Sequence, residues 1–301
     1  MPSDRPYRSG FACLVGRPNT GKSTLTNALV GAKVAITSGR PQTTRHAVRG
    51  VLHRPDGQLV LVDTPGFHRP RTLLGQRLND VVLTTLGAVD AVVLCVPADQ
   101  KVGPGDRFIA GKIAGLGRTP LVAVVTKSDA AGRRDVAERL VEVADLADFA
   151  EIVPVSALAG EQVGLLSDLL LGLLPEGPAL YPDGELTDEP EQVMVAELVR
   201  EAALEGVRDE LPHSLAVLVE EMVPRPGHPR GLVDVRVEIY VERPTQKAIV
   251  IGHGGGRLKD VGSRARREIE ALLGTPVYLD LHVRVAPDWQ RDPKQLRKLG
   301  F

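Results

Sequence analysis

Residues 16–23 read Gly-Arg-Pro-Asn-Thr-Gly-Lys-Ser, the G-x-x-x-x-G-K-S pattern, directly behind the apolar run Phe-Ala-Cys-Leu-Val at 11–15. A buried strand feeding a glycine-rich turn and then a helix sets consecutive backbone N–H groups around a polyphosphate. Gly16 and Gly21 admit backbone conformations closed to other residues and let the chain approach phosphate oxygens. A helix opening at Lys22 adds aligned N–H groups and a dipole that favours negative charge. Asn19, Thr20 and Thr24 complete the cradle. Lys22 is the group to bridge the terminal phosphates, and the Ser23 hydroxyl is the group to hold Mg2+.

Three further segments carry polar groups at the ends of apolar runs. Asp63-Thr64-Pro65-Gly66 follows Leu59–Val62. A carboxylate at the C-terminal end of a parallel strand faces the crevice where open α/β sheets bind ligands. Asp63 there reaches the magnesium shell and the Gly66 N–H a terminal phosphate, although a simple Asp-capped turn also satisfies this string. Thr126-Lys127-Ser128-Asp129 follows Leu121–Val125. A carboxylate at 129 accepts from both N1–H and the 2-amino group of guanine. Adenine would leave that acid unpaired, a penalty that discriminates strongly between the bases. The stem of Lys127 can lie on the base plane. Ser156-Ala157-Leu158, behind Ile152–Val155, offers backbone to the guanine carbonyl, and alone says little.

These groups need a frame. At 301 residues two domains fit better than one or three, and 43% hydrophobic residues suffice for a real core. Strand and helix patterns alternate through the first half, which predicts a mostly parallel sheet. Cys13 and Cys95 both fall inside predicted buried strands and read as core fillers in a reducing compartment. The N-terminal residues lack an apolar leader core and no run approaches a membrane span, so a cytoplasmic location is expected; peripheral attachment to the inner face of the cell membrane is left open. Residues 176–191 hold only acidic charges, four prolines with Pro175, and two glycines. That composition predicts a solvated linker over 176–190, between domains at 8–175 and 191–301.

The net charge of −1 conceals an asymmetry, because residues 243–301 hold twelve Lys and Arg against six Asp and Glu. In this half, helical spacing covers 192–205, and a strand over 215–222 precedes a Pro/Gly-rich loop at 224–231. Residues 233–242 alternate apolar and polar as a half-buried strand, as do 277–285, and 261–273 read as a helix with Arg264, Arg266 and Arg267 outward. Gly252-His253-Gly254-Gly255 sits between two helical segments. It resembles the loop with which KH domains clamp single-stranded RNA, with Lys247, Arg257, Lys259 and Arg264 as nearby cations. A glycine helix cap beside a solvated basic face is the plainer reading of that string taken alone. Element order and the charge surplus favour RNA. His253-Gly254 departs from the usual Lys-led pair. With 3% aromatics, base recognition must rest on hydrogen bonds and apolar contacts rather than ring stacks.

The four blocks of the first half resemble the translation-factor class of P-loop GTPases. The guanine block departs from it, with Thr126 in the place of Asn, which suggests a looser base pocket. The resemblance implies a loop Thr that joins Mg2+ and the γ-phosphate in the triphosphate state: Thr44, with Thr43 as the alternative, from the polar stretch 39–45. With Lys22 it makes the catalytic pair. Many relatives place Gln after Asp-x-x-Gly to orient the attacking water; Phe67 stands here, which implies slow intrinsic hydrolysis. Relatives with this replacement and an Asn at the place of Asn19 often use K+ near the β- and γ-phosphates.

Together with the KH-like (type II) α+β half and the tail Trp289 to Phe301, the chain resembles the bacterial Era family throughout its length. That resemblance implies GTP/GDP and Mg2+ as ligands, binding near the 3′ end of small-subunit (16S) ribosomal RNA, and a role in assembly of the 30S subunit by a monomer. For the tail itself a basic, solvated terminus is the plainer reading. A constitutive RNA-binding protein with a regulatory nucleotide site is the alternative for the whole, and a P-loop ATPase or kinase a more distant one.

Overall fold

The computed structural model describes residues 6–38, 43–67, 70, 72–207, 211–227 and 231–301, so parts of the polar loop 39–45 and of the Pro/Gly-rich loop 224–231 lie outside the described residues. Two compact units emerge, the first holding Gly75–Asp188 and most of the chain before it, the second Glu189–Phe301.

The first unit runs β1 (Arg8–Val15), α1 (Lys22–Val30), β2 (Val48–Arg54), β3 (Gly57–Asp63), α2 (Leu73–Leu86), β4 (Ala91–Pro97), α3 (Pro104–Ile113), β5 (Leu121–Thr126), α4 (Arg133–Ala144), β6 (Glu151–Val155) and α5 (Val163–Leu173). Its six strands lie in the order β2-β3-β1-β4-β5-β6. β2 pairs antiparallel with β3, and the other pairings are parallel. β3, β4 and β5 bury every residue, as strands covered on both faces must. Alternate residues feed two cores: Leu14, Leu61 and Val93 pack with Leu25 and Leu170 on one face. Cys13, Val15 and Leu94 pack with Ile109 on the other. β1 has β3 on one side and β4 on the other, so strand order reverses at its carboxyl end, where α/β sheets open a ligand crevice. Both cysteines are free and fully buried. Burial pushes the Cys95 thiol up to about 12 and Cys13 higher still, which makes both inert fillers.

The acidic segment 176–188 is largely exposed, and it is also tied to the sheet by specific hydrogen bonds. Gln58 is fully buried and needs partners: its Oε1 accepts from the N–H groups of Leu180 and Tyr181 at 2.6 and 2.9 Å, and its Nε2 donates to the Tyr181 carbonyl at 3.0 Å. The Val51 N–H on the edge strand β2 donates to the Leu186 carbonyl at 2.8 Å, and Arg49 pairs with Asp188 at 2.8 Å. The segment is a strap that covers an otherwise open sheet edge.

The second unit runs α6 (Glu191–Leu204), α7 (Leu211–Ser214), β7 (Ala216–Pro224), β8 (Val233–Val241), α8 (Pro244–Ile251), α9 (Gly256–Leu273), β9 (Val277–Val285) and α10 (Pro293–Lys298). Its sheet has β8 in the centre, antiparallel to β7 and parallel to β9. β8 buries Val235, Val237, Ile239 and Val241, and α9 buries Val261, Ala265 and Ile269 at a four-residue spacing. The tail belongs to this core rather than to solvent. Trp289 is fully buried, donates from Nε1 to the Ser214 carbonyl at 2.9 Å and stacks on Phe301. An indole that large is stable only where its area and its N–H are both satisfied.

Candidate functional site

The loop after β1 is a preformed cradle. Asn19 and Gly21 both take left-handed φ, 63° and 88°, and α1 begins at Lys22 with Gly21 as its N-cap. Lys22 is buried at 5% exposure. Its Nζ donates to the carbonyls of Arg17 and Gly16 at 3.1 and 3.4 Å. Thr20 is buried and ties the turn by donating from Oγ1 to the Arg17 carbonyl at 3.0 Å. Burial pulls the Lys22 ammonium below its usual range, opposed by the charge of Asp63. A buried ammonium with three donors and only carbonyls to receive them is completed by an anion.

Three oxygens meet beside it. The Ser23 hydroxyl donates to Asp63 Oδ2 at 2.6 Å and lies 2.9 Å from Thr44 Oγ1, which donates to the same Oδ2 at 3.1 Å. Thr44 rather than Thr43 is thus the loop residue brought to this point. Asp63 is fully buried, and its Oδ1 has no hydrogen-bond partner among the described residues. Burial pushes this carboxyl above the carboxylate range, against the pull of Lys22 and the two hydroxyls. An orphaned buried carboxylate oxygen beside two hydroxyls fits a hard divalent cation, so Ser23, Thr44 and Asp63 are the residues that would hold Mg2+. Bound there, the ion would neutralise phosphate charge. Asn27, one turn beyond Ser23 on α1, accepts from the N–H groups of Val34 and Ala35 and fixes the start of the loop that carries Thr44. No motif announces Asn27; its only sequence signal is the four-residue spacing from Ser23.

On the base side, the Thr126 hydroxyl donates to the Thr20 carbonyl at 2.5 Å. Thr126 therefore ties the cradle to β5. Lys127 takes a left-handed φ of 56°, with Nζ 3.7 Å from Asp99 and its stem beside Gly21. Asp129 is exposed and accepts from Ser156 Oγ at 2.6 Å, while Ser156, fully buried, also receives the Ala159 N–H. Leu158 is 81% exposed and Ala157 half-buried, on the turn next to that carboxylate. The acid is thus held at one oxygen with the other available to a ligand.

The segment after Asp63 closes on the cradle from the third side. A Cβ on Gly66 would stand 2.8 Å from Pro18, and the Phe67 N–H donates to the Gly16 carbonyl at 3.1 Å. The Phe67 ring is buried in the core and stacks on Phe108 of α3 at 5.5 Å. It acts as an anchor for this segment and supplies nothing to orient water.

In the second unit α8 ends at Gly252 with φ 73°, Gly254 and Gly255 take φ 56° and 78°, and α9 follows. His253 and Gly254 are exposed, as is Lys259, with Lys247 half-buried. Neither lysine has a side-chain partner among the described residues. The Arg257 guanidinium donates to the Ala203 and Glu205 carbonyls at 3.0 and 2.8 Å, closing the end of α6. Arg264 pairs with Glu205 across an exposed ion pair that a stronger anion could replace. On the opposite sheet face the cations are matched by acids: Arg225 with Asp234, Arg236 with Glu221, and Arg284 with the buried Glu238. Unmatched positive charge lies on the α8–α9 side.

Comparison with known proteins agrees with both halves. Residues 11–127 match the family described as 50S ribosome-binding GTPase, and residues 210–290 match the KH domain. GTPase Era of Streptomyces coelicolor is 66% identical, over 100% of this chain and 97% of its own length. GTPase Era of Mycobacterium tuberculosis is 64% identical over 98% and 99%. The crystal structure of Era in complex with MgGDPNP and nucleotides 1506–1542 of 16S ribosomal RNA superposes with a TM-score of 0.94, at 38% identity over 98% of this chain and 99% of that one. An Aquifex aeolicus Era variant bound to GDP and AlF4− gives 0.93 at 37% identity over 97% and 99%. Matched over nearly its whole length by relatives at 64–66% identity, the chain belongs to the Era family of GTPases.

Proposed function

We propose that this chain is a GTP-driven switch that binds and slowly hydrolyses GTP and grips the 3′ end of small-subunit ribosomal RNA during assembly of the 30S subunit. The observation that carries the nucleotide half is the meeting of Ser23, Thr44 and the orphaned oxygen of Asp63 beside a buried, anion-seeking Lys22. Gly16, Asn19, Thr20, Gly21, Lys22, Ser23 and Thr24 wrap the phosphates, Gly66 meets the terminal one, and Thr126, Lys127, Asp129 and Ser156–Leu158 receive guanine. Lys22 and Thr44 stabilise charge on the transferring phosphoryl group. Phe67, turned into the core, leaves the attacking water without a side-chain orienter, which supports a slow intrinsic rate.

The RNA half rests on the open glycine loop and on Lys247 and Lys259 flanking it, which have no side-chain partner among the described residues, with Arg264 exchangeable. Residues 8–175 then serve the nucleotide and 191–301 the RNA, joined by the strap. The resemblance to a structure holding 16S RNA favours the small subunit over the large one of the family's description. A cytoplasmic monomer suits that partner; among the described residues no helix is long and apolar enough to cross a membrane.

Loss of the γ-phosphate would free the loop held through Thr44. Filter binding at fixed salt tests the coupling. The triphosphate form should bind the RNA 3′ end more tightly than the diphosphate form, and equal affinities would remove the switch while leaving both ligands in place. Turnover should also be faster in K+ than in Na+, with Asn19→Ala abolishing the difference.

A further inference from the structure

We propose that Asp106 is a positioning residue for the phosphate cradle, acting through Arg17. The inference rests on the reading of residues 16–23 as that cradle. Asp106 is the third residue of α3 and is fully buried. One carboxylate oxygen accepts from Arg17 Nε at 2.8 Å, and the other accepts from the Gly103 N–H at 2.9 Å. Arg17 reaches it from the loop after β1, with its Nη2 buried and without a hydrogen-bond partner among the described residues. Its stem lies against the first turn of α3, where a Cβ on Gly105 would stand 2.6 Å from Arg17 Cδ and 3.1 Å from Cγ.

The backbone that this pair holds is the part of the cradle that holds Lys22. The Arg17 carbonyl receives both the Lys22 ammonium and the Thr20 hydroxyl. The next residue, Pro18, is pressed from the other flank by Gly66, whose Cβ would stand 2.8 Å from it. Residues 17 and 18 are therefore clamped between α3 and the segment after Asp63. Helix capping explains Asp106 only in part. A cap at this position needs one oxygen on the Gly103 N–H. It requires neither a second oxygen on a loop arginine nor a glycine at 105 that makes room for that arginine. A buried carboxylate with one charged partner enforces a single geometry, because any other leaves a buried charge unpaired. Cutting the pair lets the loop open, and each nucleotide that binds must then close it again.

The test uses the full chain, with GDP titrated by calorimetry in Mg2+ well below the unfolding temperature, and unfolding followed separately without nucleotide. Asp106→Asn keeps an acceptor for the Gly103 N–H, and Arg17→Met keeps the stem. Each should weaken GDP binding about tenfold, and the double variant should weaken it no further, since both remove one shared interaction. Single variants that bind within twofold of the parent would overturn the proposal, even with a lowered unfolding temperature. A double variant showing the product of the two losses would overturn it as well. If the parent itself binds no guanine nucleotide, the cradle reading fails instead. Should the charge variants not fold, Gly105→Ala pushes Arg17 off Asp106 from the helix side and should weaken GDP. Gly103→Ala, whose Cβ would come no closer than 3.8 Å to Asp106 Oδ2, should not. Equal behaviour of those two alanines would sink the idea.

Discussion

A Cβ on Gly16 would stand 2.6 Å from the Cys95 carbonyl and 2.7 Å from Thr20 Oγ1, whereas a Cβ on Gly254 or Gly255 would meet nothing within 4 Å. The second pair instead needs glycine for its backbone, with φ at 56° and 78°. Glycine is thus imposed at 16 by its neighbours and at 254 and 255 by the backbone torsions. A loop packed on every side is preorganised for one ligand of fixed form. A loop standing in open space can follow a chain of nucleotides whose backbone bends. The surrounding cations repeat the contrast: Lys22 is buried and hydrogen-bonded to two carbonyls, while Lys247 and Lys259 have no side-chain partner among the described residues.

Substitutions can break this contrast, beginning with the crowded loop. Gly16→Ala forces a methyl group against a backbone carbonyl, an overpacking of about 3 kcal/mol, so GDP affinity by calorimetry should fall by about a hundredfold. Gly254→Ala and Gly255→Ala should fold normally and lose only the left-handed preference, about 1–2 kcal/mol, read as a roughly tenfold loss in RNA affinity. Gly255→Asn should lose less, because Asn tolerates that conformation. If alanine is as damaging at 255 as at 16, the loops are not different in kind. Thr126→Val removes one hydrogen bond to the cradle and should weaken GDP about fivefold, for about 1 kcal/mol. An unchanged affinity would show that the β5 tie is incidental.

The cations sharpen the comparison further. Lys247→Ala and Lys259→Ala should each flatten the dependence of RNA affinity on salt by about 0.7 in the log–log slope. Arg257→Ala should leave that slope intact and lower the unfolding temperature instead, since its guanidinium closes α6. The smallest effect concerns the sheet face turned away from this loop. Burial pushes the Glu238 carboxyl up, but hydrogen bonds from Tyr240 and Arg284 and nearby positive charge outweigh it and hold it below its usual range. A carboxyl held below its usual range stabilises the fold above that range and loses the contribution only as pH falls below it, through the lowered pKa. Glu238→Gln should therefore destabilise by about 1 kcal/mol at pH 7, with the gap to the parent closing only below the ordinary carboxylate range in thermal unfolding.

Local strings made much of this molecule legible. Strand, turn and helix around 11–30, the carboxylates at 63 and 129, and the glycines at 252–255 all lie within short windows, where spacing alone fixes chemistry. What the sequence hid depends on contacts far along the chain. Arg257 sits beside the glycine loop in sequence, but its side chain closes a helix more than fifty residues earlier. That the exposed strap is also docked was not legible, because composition cannot register Gln58, a buried amide that needs its carbonyl and N–H groups. Thr44 is separated from Thr43 only by which hydroxyl reaches Asp63. Trp289 looks like part of a basic tail until its N–H is found on Ser214.

The claim on which the rest depends is that Asp129 reads guanine while residues 16–23 hold its phosphates. Calorimetry of the intact chain with GDP and with ADP, both in Mg2+, tests it directly. GDP should bind, ADP should show no measurable heat at the same concentrations, and Asp129→Ala should erase the difference. Preference for ADP, or indifference between the two by the unaltered chain, would contradict the account.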